Sequence, residues 1–303
     1  MSIFGGGYNR SGGRGFNPRW IIAAVIAIIG LVSYVGSRQK NPVTGEMQHV
    51  AMSVEQERAL GLQAAPQMAQ QMGGAVDPKR DPDAQFVADV GNKIVRASEA
   101  GRSPYSDNFH FYLLDDRNTV NAFALPGGQI FITRALFDRL ENEAQLAGVL
   151  GHEIGHVIHR HSAQQMAKGQ LGQMLATAAG VGSEDSRIAM GAQMANQMVQ
   201  LKYGRGDESQ SDSTGVDYMA KAGYDPREML GVMQILKKAS GGGRQPEFLS
   251  SHPLPETRLQ ELDAIIKQRF KPEDLQHLSK GQPLHGGGGG GRGPAQSAKP
   301  EKW

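Results

Sequence analysis

The stretch Leu146–Ser162, LAGVLGHEIGHVIHRHS, gathers His152, Glu153, His156, His159 and His161 into ten positions of a chain that has nine histidines altogether. Apolar residues at Leu146, Val149, Leu150, Ile154 and Val157 recur at helical spacing through the same segment, so it reads as one helix with a buried face. Asn142 stands where an N-cap belongs, with Gln145 at the third helical position. Four residues apart on a helix, His152 and His156 differ by about 40° in direction and by one turn in height, so their imidazoles can grip one small ion. Glu153 lies on the adjacent flank, near enough to act on water at that ion without taking a coordination position. Unpaired imidazole and carboxylate groups are costly on a buried helix, and an ion removes the cost. The segment therefore reads as a metal site that does chemistry.

A catalytic zinc keeps three protein ligands and one open position. The chain has no cysteine, so the third donor is His, Asp or Glu. The position six residues after His156 is Ser162, which excludes a third histidine there. His159 is a local alternative on the same face, strained by its height, and His161 is expected to point elsewhere as a hydrogen-bonded structural residue. Downstream, YGRGDESQSD (203–212) offers Glu208, with Asp212 one helical turn later. Such a pair supplies one oxygen to the metal while the aspartate accepts the spare N–H of a ligating histidine. Asp207 competes for the place of Glu208.

The ends of the chain have a different character. Residues 1–19 are Gly, Ser and Arg with little to bury and read as a disordered arm. Trp20–Ser37, WIIAAVIAIIGLVSYVGS, is uncharged and as a helix spans roughly 27 Å, the thickness of a bilayer core. Trp20 and Tyr34 sit near its two ends, where amphipathic rings prefer the interface. The reading is one transmembrane helix acting as a signal anchor, with a signal peptide cleaved near Val35–Ser37 and a buried soluble helix as the alternatives. Arg10, Arg14 and Arg19 precede it and Arg38 and Lys40 follow, which favours an inside N-terminus and a catalytic domain on the extracytoplasmic, periplasmic side. Residues 281–303 read as a Gly-rich tail. The formal net charge of +2 comes from these two ends, and no folded segment concentrates Lys and Arg beside aromatics, so nucleic-acid binding is excluded.

Between the ends, Ser53 with Gln56, Asp225-Pro226 with Glu228, and Asp81-Pro82 mark helix starts. NFHFYLLDD (108–116) and TVNAFALPGGQIFIT (119–133) read as strands. The second breaks at Leu125-Pro126-Gly127-Gly128, which suits a type II turn and a hairpin. Gly180–Ser186 reads as a turn, and Met190, Met194 and Met198 as a packing stripe. The pattern is α+β, with helices around a small sheet.

Four of these stretches resemble the gluzincin metallopeptidases, the group that includes HtpX, the CAAX prenyl protease and the BepA, LoiP and Oma-type membrane-associated proteases. They are NAFALPGGQIFIT (121–133), the histidine segment, ESQSDSTGVDYMAKAGYDPRE (208–228) and HPLPETR (252–258), in the family's order, within a resemblance running from Asn41 to Leu262. The resemblance implies a mostly helical metalloprotease domain over residues 41–280, with one Zn2+ per chain on His152, His156 and Glu208. It implies Glu153 as catalytic base, Asp212 as partner of a ligand histidine, and His252 as a catalytic histidine that either assists or occupies the open metal position. The strand Asn121, Ala122, Phe123 and Ala124 becomes the edge that receives substrate. The expected activity is hydrolysis of unfolded or extended polypeptides in protein quality control, with His252, Tyr203 or Arg205 stabilising the tetrahedral oxyanion. A membrane-tethered zinc-binding chaperone without proteolysis is the other reading. Oligomeric state is left open. The chain departs from the family at Gln210 and Ser211, where the family usually writes Glu and Ala, and at Gly204, where it writes Ser.

Overall fold

The computed structural model describes residues 18–182, 203–240, 246–253 and 257–284. Most of the N-terminal arm, the end of the Gly180–Ser186 turn, the Met190 stripe, residues 254–256 of the HPLPETR segment and the tail beyond 284 lie outside the described residues. Backbone contacts divide the chain into two compact units.

One unit contains α1 (Pro18–Gly36), whose proline at the first helical position has its ring where no intrahelical N–H is needed. The helix has a mean hydropathy of 2.0 and buries only Ala23 and Gly30, so its large apolar side chains, Trp20, Ile28 and Val32 among them, stand exposed. It is the one helix among the described residues long and apolar enough to cross a membrane.

The other unit carries the histidine segment. It opens with the short antiparallel pair β1 (Arg38–Lys40) and β2 (Met47–His49), then α2 (Val54–Gln71) and α3 (Pro82–Ala97). The Ser53 hydroxyl accepts from Gln56 N, and the Gln56 side chain accepts from Ser53 N, closing the expected capping box. Asp81 caps α3 through the N–H groups of Asp83 and Ala84. A three-stranded sheet follows, β3 (His110–Leu114), β4 (Ala122–Leu125) and β5 (Gln129–Thr133), in the order β3-β5-β4. β4 and β5 form the hairpin read from the sequence: Gly128 N donates to Leu125 O, and Gly127 takes φ +83°, which a side chain would resist. β3 runs parallel to β5, a pairing that spacing did not reveal, and β4 is left at the sheet edge.

After a turn of helix, α4 (Arg134–Phe137), comes α5 (Glu143–Ile158), started by Asn142 accepting from Gln145 N. Every residue of α5 from Ala144 to Ile158 is buried. Side chains such as Leu150 and Ile154 each contribute roughly 1.5–3 kcal/mol by leaving water, which fixes the helix that bears the histidines. At its C-terminal end the chain reverses through Arg160, the one described non-glycine residue with positive φ (58°), before α6 (His161–Gly182), whose residues from Lys168 on belong to the first unit. Arg160 is held there by Glu57 and by the Met52 carbonyl. α7 (Arg205–Lys221) packs most extensively on α5. A Cβ at Gly155 would come within 2.9 Å of Ser211 Cα, so glycine there lets the two helices approach closely enough for their side chains to converge.

α8 (Glu228–Ser240), α9 (Phe248–Ser251), α10 (Arg258–Arg269) and α11 (Pro272–Leu275) complete the unit. The expected capping box of α8 does not form. Asp225 turns on Arg227, and Glu228 accepts instead from Asn142 and Gln145 at the start of α5, because those amides offer it partners that the helix start does not. The α+β class stands as read, mostly helical with small sheets.

Candidate metal centre

His152 and His156 emerge one turn apart from α5 and bring their Nε2 atoms within 3.0 Å of each other. From α7, Glu208 places one carboxylate oxygen 3.6 Å from His152 Nε2 and the other 3.5 Å from His156 Nε2. His252, just past α9, adds its Nδ1 at 3.0 Å from Glu208 Oε1 and 3.3 Å from His152 Nε2. Donor atoms of these four buried residues all lie within 4.8 Å of one another. Tetrahedral donors about 2 Å from a central ion stand roughly 3.3 Å apart, so the spacing suits a small cation.

The surroundings explain how such a group stays buried. His152 Nδ1 faces Asp212 Oδ1 at 2.9 Å, and Asp212 is gripped at 2.8 Å by both Nε and Nη2 of Arg258. Arg258 Nη1 also pairs with Glu208 at 2.6 Å. Burial alone would raise the carboxyl of Asp212, but Arg258 and His152 reverse that and hold it well below the usual carboxylate range. Glu208 is lowered likewise, burial being outweighed by His252, His152 and Arg258. For His152, burial opposes the charged ring while Asp212 and Glu208 favour it more, so its pKa rises. Among the described residues His156 has no such carboxylate behind it, and burial among other imidazoles pushes it well down. Behind its Nδ1, at 3.0 Å, lies His161 Nδ1, itself pushed by burial to about 4.

Glu153 is completely buried, and neither carboxylate oxygen has a hydrogen-bond partner among the described residues. His252 Nε2 lies 3.7 Å from its Oε1. Burial therefore raises its pKa. An acid in this condition needs something to bond, and a water or substrate proton at the adjoining donor cluster meets that need. Two imidazole Nε2 lone pairs face to face, a carboxylate opposite and an orphaned acid beside them fit a divalent cation with its water.

The expected site residues thus fall into those the fold brings together and those it does not. His152, Glu153, His156, Glu208, His252 and Asp212 converge. His159 does not: it caps α5, and its ring turns to Thr214 Oγ1 at 2.9 Å and to Glu46. Asp207 caps α7 by accepting from Gly204 N and is also bonded to Gln165. The Tyr203 ring lies 4.0 Å from that of His156, with its hydroxyl on Ser162, whereas Arg205 is exposed at the first residue of α7. Asn121 and Ala122 are buried, Phe123 and Ala124 half-buried, at the edge of the sheet.

Two contributors were missed. Arg258, inside the quoted HPLPETR segment, is the cation that two buried carboxylates require. His161, expected to point away, faces His156, because the reversal at Arg160 breaks the helical projection on which that expectation rested.

A helix-borne H-E-x-x-H joined by a carboxylate from a second helix is the donor arrangement of metal-dependent hydrolases. The profile of peptidase family M48 matches residues 83–266. The chain belongs to peptidase family M48. It is 32% identical over 231 residues to a beta-barrel assembly-enhancing protease of Yersinia pestis, covering 73% of this chain and 46% of that one. With the protein of the same name from Escherichia coli it shares 30% over 256 residues, 79% of this chain and 50% of the other. The mitochondrial metalloendopeptidase OMA1 of Schizosaccharomyces pombe is 27% identical over 258 residues, covering 83% and 74% of the two chains. The chain spans about half the length of the first two relatives.

Proposed function

We propose that the protein is a membrane-anchored zinc endopeptidase that hydrolyses peptide bonds of unfolded or extended polypeptides in quality control. The observation that carries this reading is the pair of Nε2 atoms at 3.0 Å facing Glu208, with the orphaned Glu153 beside them. His152, His156 and Glu208 hold the ion. A nitrogen-and-oxygen donor set without sulfur, leaving a position open to water, suits zinc. Bound zinc lowers the pKa of water and polarises a carbonyl.

The protein's own groups do the rest. Glu153, its pKa raised by burial, takes the proton of the attacking water and passes it to the leaving amine. Asp212 keeps the His152 ring turned with its lone pair to the site. His252 stands beside both Glu153 and Glu208, where it can donate to negative charge developing on the substrate oxygen. Residues Asn121 to Ala124 receive an extended chain by strand addition, which reads backbone more than side chains. Residues 20–37, within and at the end of α1, anchor the enzyme in the membrane, with the catalytic unit on the periplasmic side, in keeping with the arginines that precede the helix.

The test is cleavage of unfolded casein by the full chain in detergent micelles, with and without a chelator, beside Glu153→Gln. The parent should cleave only without chelator. Glu153→Gln should keep one zinc per chain and lose cleavage by about 10²-fold or more. Cleavage retained by the variant removes Glu153 from its role, and casein binding without cleavage by the zinc-loaded parent favours a tethered chaperone.

A further inference from the structure

The metal-ligand role of His156 in the proposed function leaves open what directs its lone pair to the ion. His152 has Asp212 for this, but among the described residues no carboxylate contacts His156 Nδ1. The chain of contacts behind it runs through neutral groups. His156 Nδ1 is 3.0 Å from His161 Nδ1, and His161 Nε2 is 3.0 Å from Gln210 Oε1. Ser211 Oγ lies 3.4 Å from His161 Nδ1.

Proton positions along this chain follow from one end. Gln210 turns its Nε2 toward Glu46 Oε2 at 3.4 Å, which leaves its carbonyl oxygen for His161. A carbonyl oxygen only accepts, so His161 Nε2 is the N–H. Asp207 Oδ1, 3.9 Å from the same nitrogen, adds a negative group outside that chain of contacts, on the same side. A neutral imidazole with its proton on Nε2 has a bare Nδ1, and at 3.0 Å that atom accepts from His156 Nδ1–H. The proton of His156 is thereby held on Nδ1, and Nε2 is left as a lone pair directed at His152 Nε2 and Glu208.

We propose that His161, held by Gln210, is a positioning residue that fixes the tautomer of His156 and presents its Nε2 to the metal. The relay also gives the departure at Gln210 a physical meaning. The family's usual Glu and this chain's Gln both offer an oxygen acceptor to His161 Nε2–H, so the exchange keeps the proton order while removing a charge.

The inference rests on His156 being a ligand, and the test separates the two claims. In the metal-free full chain labelled with 15N-histidine, in micelles, imidazole spectra should show His156 protonated on Nδ1; protonation on Nε2 overturns the relay whatever the variants do. Zinc competition with a chromophoric chelator then compares two substitutions with the same number and branching of side-chain heavy atoms. His161→Leu should weaken zinc about 10–100-fold at unchanged stoichiometry, while His161→Asn, which keeps an acceptor near the place of Nδ1, should stay within about threefold of the parent. Equal weakening by both makes His161 a packing residue and overturns the proposal, as does parental affinity in His161→Leu. If the parent binds one zinc that His152→Ala loses while His161→Leu is unaffected, only the relay fails. If the parent binds none, the ligand reading itself fails.

Discussion

The two histidines of α5 are backed in opposite ways. Behind His152 stands a charged arm, Asp212 clamped by Arg258, which reaches on to Glu208. Behind His156 stands a neutral arm, an imidazole and an amide. The difference follows from where counter-charge is available. Arg258 enters from α10 on the Asp212 side and supports two carboxylates at once, whereas among the described residues no Arg or Lys pairs with the arm behind His156, and the Tyr203 ring packs on that imidazole. A buried carboxylate there would stand unpaired, at a cost of several kcal/mol. Orientation without charge is the affordable arrangement on that side.

The sharpest way to break this comparison is to remove the cation. Arg258→Ala leaves Asp212 and Glu208 buried without their guanidinium and should destabilise the protein by about 3–5 kcal/mol in denaturant unfolding. Gln210→Ala, which deletes the far end of the neutral arm, should cost about 1 kcal/mol. Equal losses from the two would show that the arms do not differ in electrostatic burden.

Next in size is the effect of the charged arm on the ion. Asp212→Asn keeps the shape but removes the charge that favours proton placement on His152 Nδ1, and should weaken zinc about 10–100-fold in chelator competition. A His159→Gln control should leave zinc affinity at the parental value, since that ring bonds to Thr214 outside the donor cluster. A drop in the control would mean that His159 enters the site.

Much of this arrangement was legible before any coordinates. The caps at Ser53, Asp81 and Asn142, the hairpin turn at Leu125–Gly128 and the one-turn offset of His152 and His156 are local patterns, and short-range sterics and hydrogen bonds decide them. Glu208 and Asp212 were legible because they too sit one turn apart on a single helix. What escaped is long-range. Arg258 meets Asp212 across 46 positions of chain, and β3 joins β5 in parallel by a pairing no local spacing encodes. His161 escaped for a different reason: Arg160 takes a left-handed conformation that few residues adopt unaided, stabilised by Glu57 from α2, so the helical wheel ends one residue too early to place it.

The smallest expected effect concerns pH and tests whether the second arm is neutral. His161 is pushed to about 4 in the folded protein against 6.5 for the unperturbed ring. Between those values the unfolded chain binds a proton that the native state refuses, so this group makes stability fall as pH drops below 6.5, with the loss complete near pH 4. His152, whose pKa is raised, works the other way: its contribution is full below 6.5 and fades as pH climbs through its folded value. The parent's profile mixes the two, and the difference from His161→Asn isolates one. In the metal-free protein, the parent should lose about 1 kcal/mol more than the variant between pH 7 and pH 5.5, read by urea unfolding at each pH. Superimposable profiles would mean that native His161 takes up a proton as readily as the free side chain, and a cation would then sit behind His156 in acid, where the geometry has room only for an acceptor.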